Sequence, residues 1–269
     1  MSAAVNQIAA RAVDGCRARL GAWLRNDARR WSWSGPCLVC REAGLSEAGL
    51  SEVCSARGKA PGAALSGRDL CAACARALPR MTTACLRCGV PLPEAGVCGQ
   101  CRSRPPPLRE VHAACRYDWP VDRLLPRFKF HGDLAAGRLL AQLMAEAFGG
   151  LPPPEALVPV PLHVGRLRGR GYDQALVLAR PLSRALGIRL QPGLLVRTRA
   201  TAPQSEHHAL ARRRNVRRAF GVRAGAQVPA HVVLVDDVMT TGATLHAAAE
   251  ALLRSGVRRV DAWVCARVP

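Results

Sequence analysis

Thirteen residues, Val232 to Thr244, read Val-Val-Leu-Val-Asp-Asp-Val-Met-Thr-Thr-Gly-Ala-Thr, an order of residue types suited to holding a ribose 5-phosphate. Four apolar residues predict a buried strand. Two adjacent carboxylates, Asp236 and Asp237, stand at its C-terminal end, and a hydroxyl-rich turn then opens into an apolar-periodic helix. Backbone N–H groups at a helix N-terminus bind phosphate, and the helix dipole favours the negative charge there by about 0.3–1 kcal/mol. Thr240, Thr241 and Thr244 add hydroxyl donors, Gly242 lets the backbone come close to a ligand, and Ala243 opens the helix. The two carboxylates can accept hydrogen bonds from sugar hydroxyls or hold a metal ion. Helix capping accounts for one Asp before a helix. It does not account for two acids followed by Thr-Thr-Gly-x-Thr.

A second set of chemistry-bearing residues lies ahead of this motif. Of twelve cysteines, eight form four C-x-x-C pairs: Cys37/Cys40, Cys71/Cys74, Cys85/Cys88 and Cys98/Cys101. Each pair presents two thiolates to one metal, and two pairs make the four-sulfur tetrahedron of a structural zinc site. Four pairs within about 65 residues would be an odd redox site, so metal binding is favoured over a redox C-x-x-C. Sequence order groups Cys37, Cys40, Cys71 and Cys74 around one ion and Cys85, Cys88, Cys98 and Cys101 around the other, with interleaved pairing left open. Gly89 follows Cys88 as a turn residue. The segment has little apolar core, so metal is expected to drive its folding; zinc-finger peptides gain about 10–16 kcal/mol that way. Cys16, Cys54, Cys115 and Cys265 are left over and are read as buried or incidental thiols.

The elements that must position these groups alternate along the chain. Strands are expected over Val111–Tyr117, Ala156–Leu162, Leu194–Thr198, His231–Val235 and Arg258–Cys265. Helices are expected over Leu134–Phe148, stopped by Gly149-Gly150, over Tyr172–Leu186, bent at Pro181 and stopped by Gly187, and over Ala243–Arg254, stopped by Gly256. His207–Val216 reads as a basic helical loop. Strands alternating with helices predict an α/β domain with a parallel sheet, and such sheets bind ligands at the C-terminal ends of their strands. The predicted organisation is an N-terminal extension (1–35) with one short amphipathic helix, a cysteine module (36–104) containing a Gly-, Ala- and Ser-rich loop, a stiff linker (Pro105-Pro106-Pro107), and the α/β domain (108–269).

The chain has 269 residues and a formal net charge of +20, from 39 Lys and Arg against 19 Asp and Glu. Only Lys59 and Lys129 are lysines. No apolar run approaches the roughly 20 residues of a membrane span, and the N-terminus lacks the apolar core of a secretory signal, so the expectation is a soluble, cytoplasmic protein. The charge favours an anionic partner, phosphorylated ligand or nucleic acid. It is concentrated: residues 165–218 hold thirteen arginines and two acids, Asp173 and Glu206. Arginine forks grip phosphate oxygens in bidentate fashion, which nominates Arg168, Arg170 and Arg214 for a pyrophosphate. Lys129, kept in so arginine-rich a chain, is a candidate point charge near phosphate. Trp31 and Trp33 are candidates for stacking on bases or packing on the cysteine module.

Taken together, these residues resemble a known family. Val232–Thr244 resembles, at all thirteen positions, the signature with which type I phosphoribosyltransferases bind 5-phosphoribosyl 1-pyrophosphate (PRPP). The four C-x-x-C pairs narrow the resemblance to the ComF/GntX family, known from DNA uptake in competent bacteria. Arg127-Phe-Lys-Phe-His-Gly-Asp133, Val158-Pro-Val-Pro-Leu-His163 running into Arg168-Gly-Arg-Gly-Tyr-Asp-Gln174, and Thr201 through Gln204 to Arg214-Asn215 and Phe220 support it. The resemblance implies that Asp236 and Asp237 contact the ribose hydroxyls and that Thr240 to Thr244 form the 5-phosphate loop. It further implies a pyrophosphate loop around Leu162 and His163, a closing loop over 198–218 that includes Gln204, and a hood over the acceptor built from 108–133. Two structural zincs and a Mg²⁺ accompanying PRPP follow in the same way. The family often has Asn where this chain has Asp173, and an apolar residue where it has His207. Two activities fit: phosphoribosyl transfer to an unidentified acceptor, or a non-catalytic module on the same scaffold that binds single-stranded DNA or senses PRPP.

Overall fold

The computed structural model describes residues 36–42, 69–197 and 219–269. The N-terminal extension with Trp31 and Trp33, most of the Gly/Ala/Ser-rich loop, and the 198–218 segment with Gln204, His207 and Arg214 lie outside these residues. Its helices are α1 (Ala72–Arg76), α2 (Gly99–Ser103), α3 (Val121–His131), α4 (Leu134–Phe148), α5 (Val164–Arg170), α6 (Gln174–Leu186) and α7 (Ala243–Arg254). Its strands are β1 (Val111–Arg116), β2 (Ala156–Pro159), β3 (Leu195–Arg197), β4 (Phe220–Val222), β5 (His231–Met239) and β6 (Arg259–Arg267).

Four strands form a parallel sheet in the order β1-β6-β5-β2, and β3 pairs antiparallel with β4 apart from it. Successive side chains of a strand point to opposite faces, and β5 shows what each face meets. Val233 and Val235 enter a core with Leu124, Phe128, Leu140, Met144, Leu178 and Trp263 from α3, α4, α6 and β6. Val232 and Leu234 enter the other core, with Leu195, Phe220, Leu245 and Leu252 from the β3–β4 pair and α7. A sheet covered on both faces needs continuous apolar strands, which is why His231–Val235 reads as a run and not an alternation.

Three differences from the sequence expectations bear on the site. β5 does not end at Val235: its ladder with β6 continues through Val238↔Ala266 and Met239↔Arg267, so both acids lie within a strand. β2 ends at Pro159, with one further bond from Val160 N–H to the Val235 carbonyl, because Pro161 has no N–H to extend the ladder. Helix α3, with Val121, Leu124, Leu125 and Phe128 buried at helical spacing, occupies the segment read only as hood.

The corner between α3 and α4 explains the Arg127–Asp133 motif. Asp133 caps α4, accepting from Ala136 N–H at 3.0 Å, and its other oxygen accepts from Arg127 Nε and Nη2 at 3.0 and 2.7 Å. Gly137 lets α4 close on α3, since a Cβ there would lie 2.5 Å from the Phe128 ring.

The cysteine module is joined to this domain along β1, the outer strand of the sheet. Met81 N–H donates to Ala114 O, Arg116 N–H to Pro79 O, and Val111 N–H to Leu86 O. Arg138 pairs with Asp69 at 2.8 Å and Arg80 with Glu146 at 3.0 Å.

Candidate functional site

Strand alternation sends Asp236 to the face of Val232 and Leu234, and Asp237 to the face of Val233 and Val235. Both acids, from the two sides of the strand's end, line a cavity of about 150 Å³. Its other walls come from α3 (Lys129), the turn after β2 (Val160, Pro161, Leu162), α5 (Arg166, Arg170), the start of α6 (Asp173, Gln174, Ala175), β3 (Arg197) and α7 (Thr244). These are the C-terminal ends of β2 and β5 and the loops that leave them, where a parallel sheet receives ligands.

Neither acid caps α7. The N-cap is Gly242, at φ +76, and no side chain caps it. A Cβ there would lie 2.5 Å from the Met239 side chain and 3.1 Å from His246, so the turn admits glycine on both conformation and space. Gly242 offers no capping side chain and Thr241 Oγ1 accepts from Ala243 N–H only at a long 3.5 Å, an N-terminus of the kind that binds anions. Thr240 and Thr241 are exposed beside it.

The acidic pair has one direct ion-pair partner in the cavity. Lys129 Nζ lies 2.9 Å from Asp237 Oδ2, an ion pair whose carboxylate side chain is 7% exposed. Asp236 is half-buried; removal from water, with the Asp237 charge beside it, raises its pKa to about 8. Burial also raises Asp173, although Leu162 and Leu176 N–H groups donate to it. The cavity thus sets three acids, Asp173, Asp236 and Asp237, against four cations, Lys129, Arg166, Arg170 and Arg197.

Asp173 does two jobs with two oxygens. Oδ1 caps α6 through Leu176 N–H and Oδ2 accepts Leu162 N–H, both at 3.1 Å. The Leu162 amide is thus held by the protein itself. His163 caps α5, its Nδ1 accepting from Gly165 N–H at 3.1 Å. Arg168 is exposed and outside the cavity lining, whereas Arg170 lines it, with Nη1 donating to Gln174 Oε1 at 2.7 Å. Arg166 and Arg197 join it there, and sequence reasoning singled out neither. Arg197 was hidden in a short strand. Arg166 precedes Arg168 and Arg170 at the even spacing that an unrecognised helix, α5, converts into different directions.

The eight cysteines form two clusters in sequence order. Within Cys37, Cys40, Cys71 and Cys74, and within Cys85, Cys88, Cys98 and Cys101, all four sulfurs lie within 4.8 Å of one another. A tetrahedron with Zn–S bonds near 2.3 Å requires sulfurs about 3.8 Å apart; Cys40–Cys71 and Cys88–Cys98 stand at 3.8 Å. The clusters repeat one design. After the first pair the chain turns at positive φ, at Arg41 (62°) and Gly89 (66°), and its N–H returns to the carbonyl of Cys37 or Cys85. The second pair then opens a short helix, α1 or α2. Burial raises the Cys37 and Cys85 thiols, but backbone N–H donors outweigh it and bring both to about 6, while burial beside the other thiols pushes Cys74 and Cys101 up. Four such sulfurs in one place call for a soft divalent cation. Cys115 and Cys265 are fully buried between sheet and helices and belong to neither cluster.

The phosphoribosyl transferase domain family matches residues 173–269, and the double zinc ribbon family matches 60–102. DNA utilization protein YhgH of Salmonella typhi is 38% identical over 211 residues, covering 76% of this chain and 92% of that protein. The chain belongs to the ComF/GntX family. Competence protein F of Haemophilus influenzae is 34% identical with the same coverage, and competence protein ComFC of Bacillus subtilis is 29% identical over 70% of this chain and 79% of its own length. Two zinc sites of four cysteines each fit the double zinc ribbon. No helix among the described residues is long and apolar enough to cross a membrane.

Proposed function

We propose that the α/β domain binds PRPP and transfers its phosphoribosyl group, in the service of DNA uptake or DNA metabolism. The observation that carries the reading is the shared cavity, lined by Asp236, Asp237 and Lys129, by Arg166 and Arg170, and by Thr244 from the first turn of α7. The 5-phosphate sits on the N–H groups and hydroxyls from Thr240 to Thr244. The ribose hydroxyls donate to the acidic pair. At about 150 Å³ the cavity is below the range of about 300–1,000 Å³ usual for enclosed ligands, which suits a sugar whose phosphates rest on open rims.

Transfer breaks the bond from ribose C1 to pyrophosphate, with negative charge building on the leaving group and positive character on the sugar. Arg166 and Arg170 face the leaving side and the carboxylates face the sugar, so the fixed charges match those that develop. The donor set fits a magnesium ion, a hard cation that takes carboxylate oxygens, with Asp236 and Asp237 its holders directly or through water; bound with PRPP, it would neutralise phosphate charge. Asp173 acts by fixing the turn at Leu162, not by touching the ligand. The family's more usual Asn offers one acceptor oxygen where Asp173 offers two, one for each N–H it holds.

The test is calorimetry with PRPP and Mg²⁺. The intact protein gives a binding heat and the Asp236→Ala, Asp237→Ala double variant gives none; a silent intact protein ends the reading.

The chain's net charge of +20 favours a second, compatible role: binding single-stranded DNA, in line with the names of its relatives. That role entails an affinity that falls steeply with salt, because each neutralised phosphate releases counterions. No binding in dilute buffer would dismiss it.

A further inference from the structure

Helix α3 buries a regular stripe, and one large apolar residue sits off it. Phe130 is 66% exposed, the highest value among the exposed large apolar side chains of the described residues. Scattered exposed apolar residues are ordinary, but this one has specific neighbours. It follows Lys129, which reaches Asp237 in the cavity. Arg170, itself a cavity residue, places its guanidinium 5.3 Å from the centroid of the Phe130 ring. Gln174 Oε1 anchors that guanidinium at 2.7 Å, so the arginine is held over the ring and not loose in solvent.

We propose that Phe130, backed by Arg170, is a stacking platform for a nucleobase at the mouth of the cavity. The placement beside the ribose rests on the phosphoribosyltransferase reading; the platform itself rests on the ring, its exposure and the guanidinium. Three features select a base over other apolar groups. The free surface is a flat aromatic ring. The cation over it extends a planar, delocalised surface on which a second ring can lie. The surrounding positive groups, Lys129, Arg166 and Arg170, suit a base that arrives carrying phosphate. Stacking of this kind is tolerant of base identity, so little preference among bases is expected.

The base can come from a free nucleotide or from single-stranded DNA, and the experiment separates them. Fluorescence anisotropy at one fixed salt concentration compares a short labelled oligo-dT with an abasic oligonucleotide of equal length, and thymidine monophosphate serves as competitor. Phe130→Ala is expected to weaken oligo-dT binding roughly ten- to hundredfold, the range of one base–aromatic stack, and to leave both the abasic strand and the PRPP heat unchanged. Phe130→Trp retains binding, and its emission is quenched by oligo-dT. Displacement by thymidine monophosphate identifies a mononucleotide as sufficient; no displacement assigns the base to a strand, and either result supports the platform. Wild-type affinity in Phe130→Ala, an equal loss for the abasic strand, or an intact protein that binds PRPP but neither oligo-dT nor thymidine monophosphate overturns the proposal. Phe130-dependent base binding without any PRPP heat overturns the phosphoribosyl reading and leaves the platform standing.

Discussion

Replacing Lys129 by Met keeps the length of the side chain and removes its charge. The consequence can be worked from the cavity. At 2.9 Å from Asp237 and an effective dielectric near 20, the gross attraction is about 6 kcal/mol. Dehydrating the ammonium and fixing its stem offset much of this. The lysine side chain is also 29% exposed, so water screens it. A net loss of about 1–3 kcal/mol follows, below the 3–5 kcal/mol of a fully buried broken pair. The loss must depend on pH, with a definite sign. Asp236 titrates near 8 in the folded protein, above its value in the unfolded chain. Folding therefore binds a proton between about pH 4 and 8, and the stability tied to that proton declines as pH rises through this window. At pH 5 Asp236 carries its proton; at pH 9 it has lost it and the cavity holds one more negative charge, so Lys129→Met should be more damaging there. Urea unfolding of both proteins at pH 5 and pH 9, followed by far-ultraviolet circular dichroism, reads the difference directly. Equal destabilisation at the two pH values would show that the lysine contributes packing and not charge, and the electrostatic account of the cavity would fail.

Two other outcomes are open to measurement. Gly242→Ala forces a side chain into the left-handed region and against Met239, so a loss of roughly 2–4 kcal/mol and weaker PRPP binding are expected in thermal melts and calorimetry; unchanged values of both would mean the turn is not held as described. The purified protein should carry two zinc ions per chain and Cys101→Ser only one, by elemental analysis with thiol titration; a wild-type protein with no metal and eight freely titrating thiols would remove the zinc assignment.

What the sequence revealed and what it hid have physical causes. The motif strand, α4 and α7 are legible because burial imposes period and punctuation: α4 ends at Phe148 just ahead of Gly149-Gly150. The cysteine grouping is legible because a tetrahedron of sulfur needs pairs close in sequence. The end of β5 was not, because acids usually mark the edge of a strand, whereas pairing with β6 carries this backbone two residues beyond Asp237. Helix α5 was missed because Gly165 and Gly169 lower its intrinsic preference and no side chain on it is buried. Helix α3 carried a legible stripe at 121, 124, 125 and 128, masked by the prolines at 120 and 126. The partners of Lys129 and Asp173 were beyond reach, since an ion pair across 108 positions and a cap that also holds a neighbouring turn leave no local pattern.

The seam between the cysteine module and the sheet sets a condition on how this molecule can be dissected. Arg127 Nη1 donates to the carbonyl of Leu38, inside the first cysteine loop, while Lys129 two residues later reaches the acidic pair. One turn of α3 thus has a cysteine loop at one side and the cavity of the acidic pair at the other. The module also covers β1, whose outer backbone groups pair with Pro79 and Met81. Excising it would strip a strand edge bare and invite the domain to pair with copies of itself. A truncated protein made for assay is therefore a poor stand-in for the whole chain: what it loses first is solubility and the set of its cavity wall, before any ligand is added.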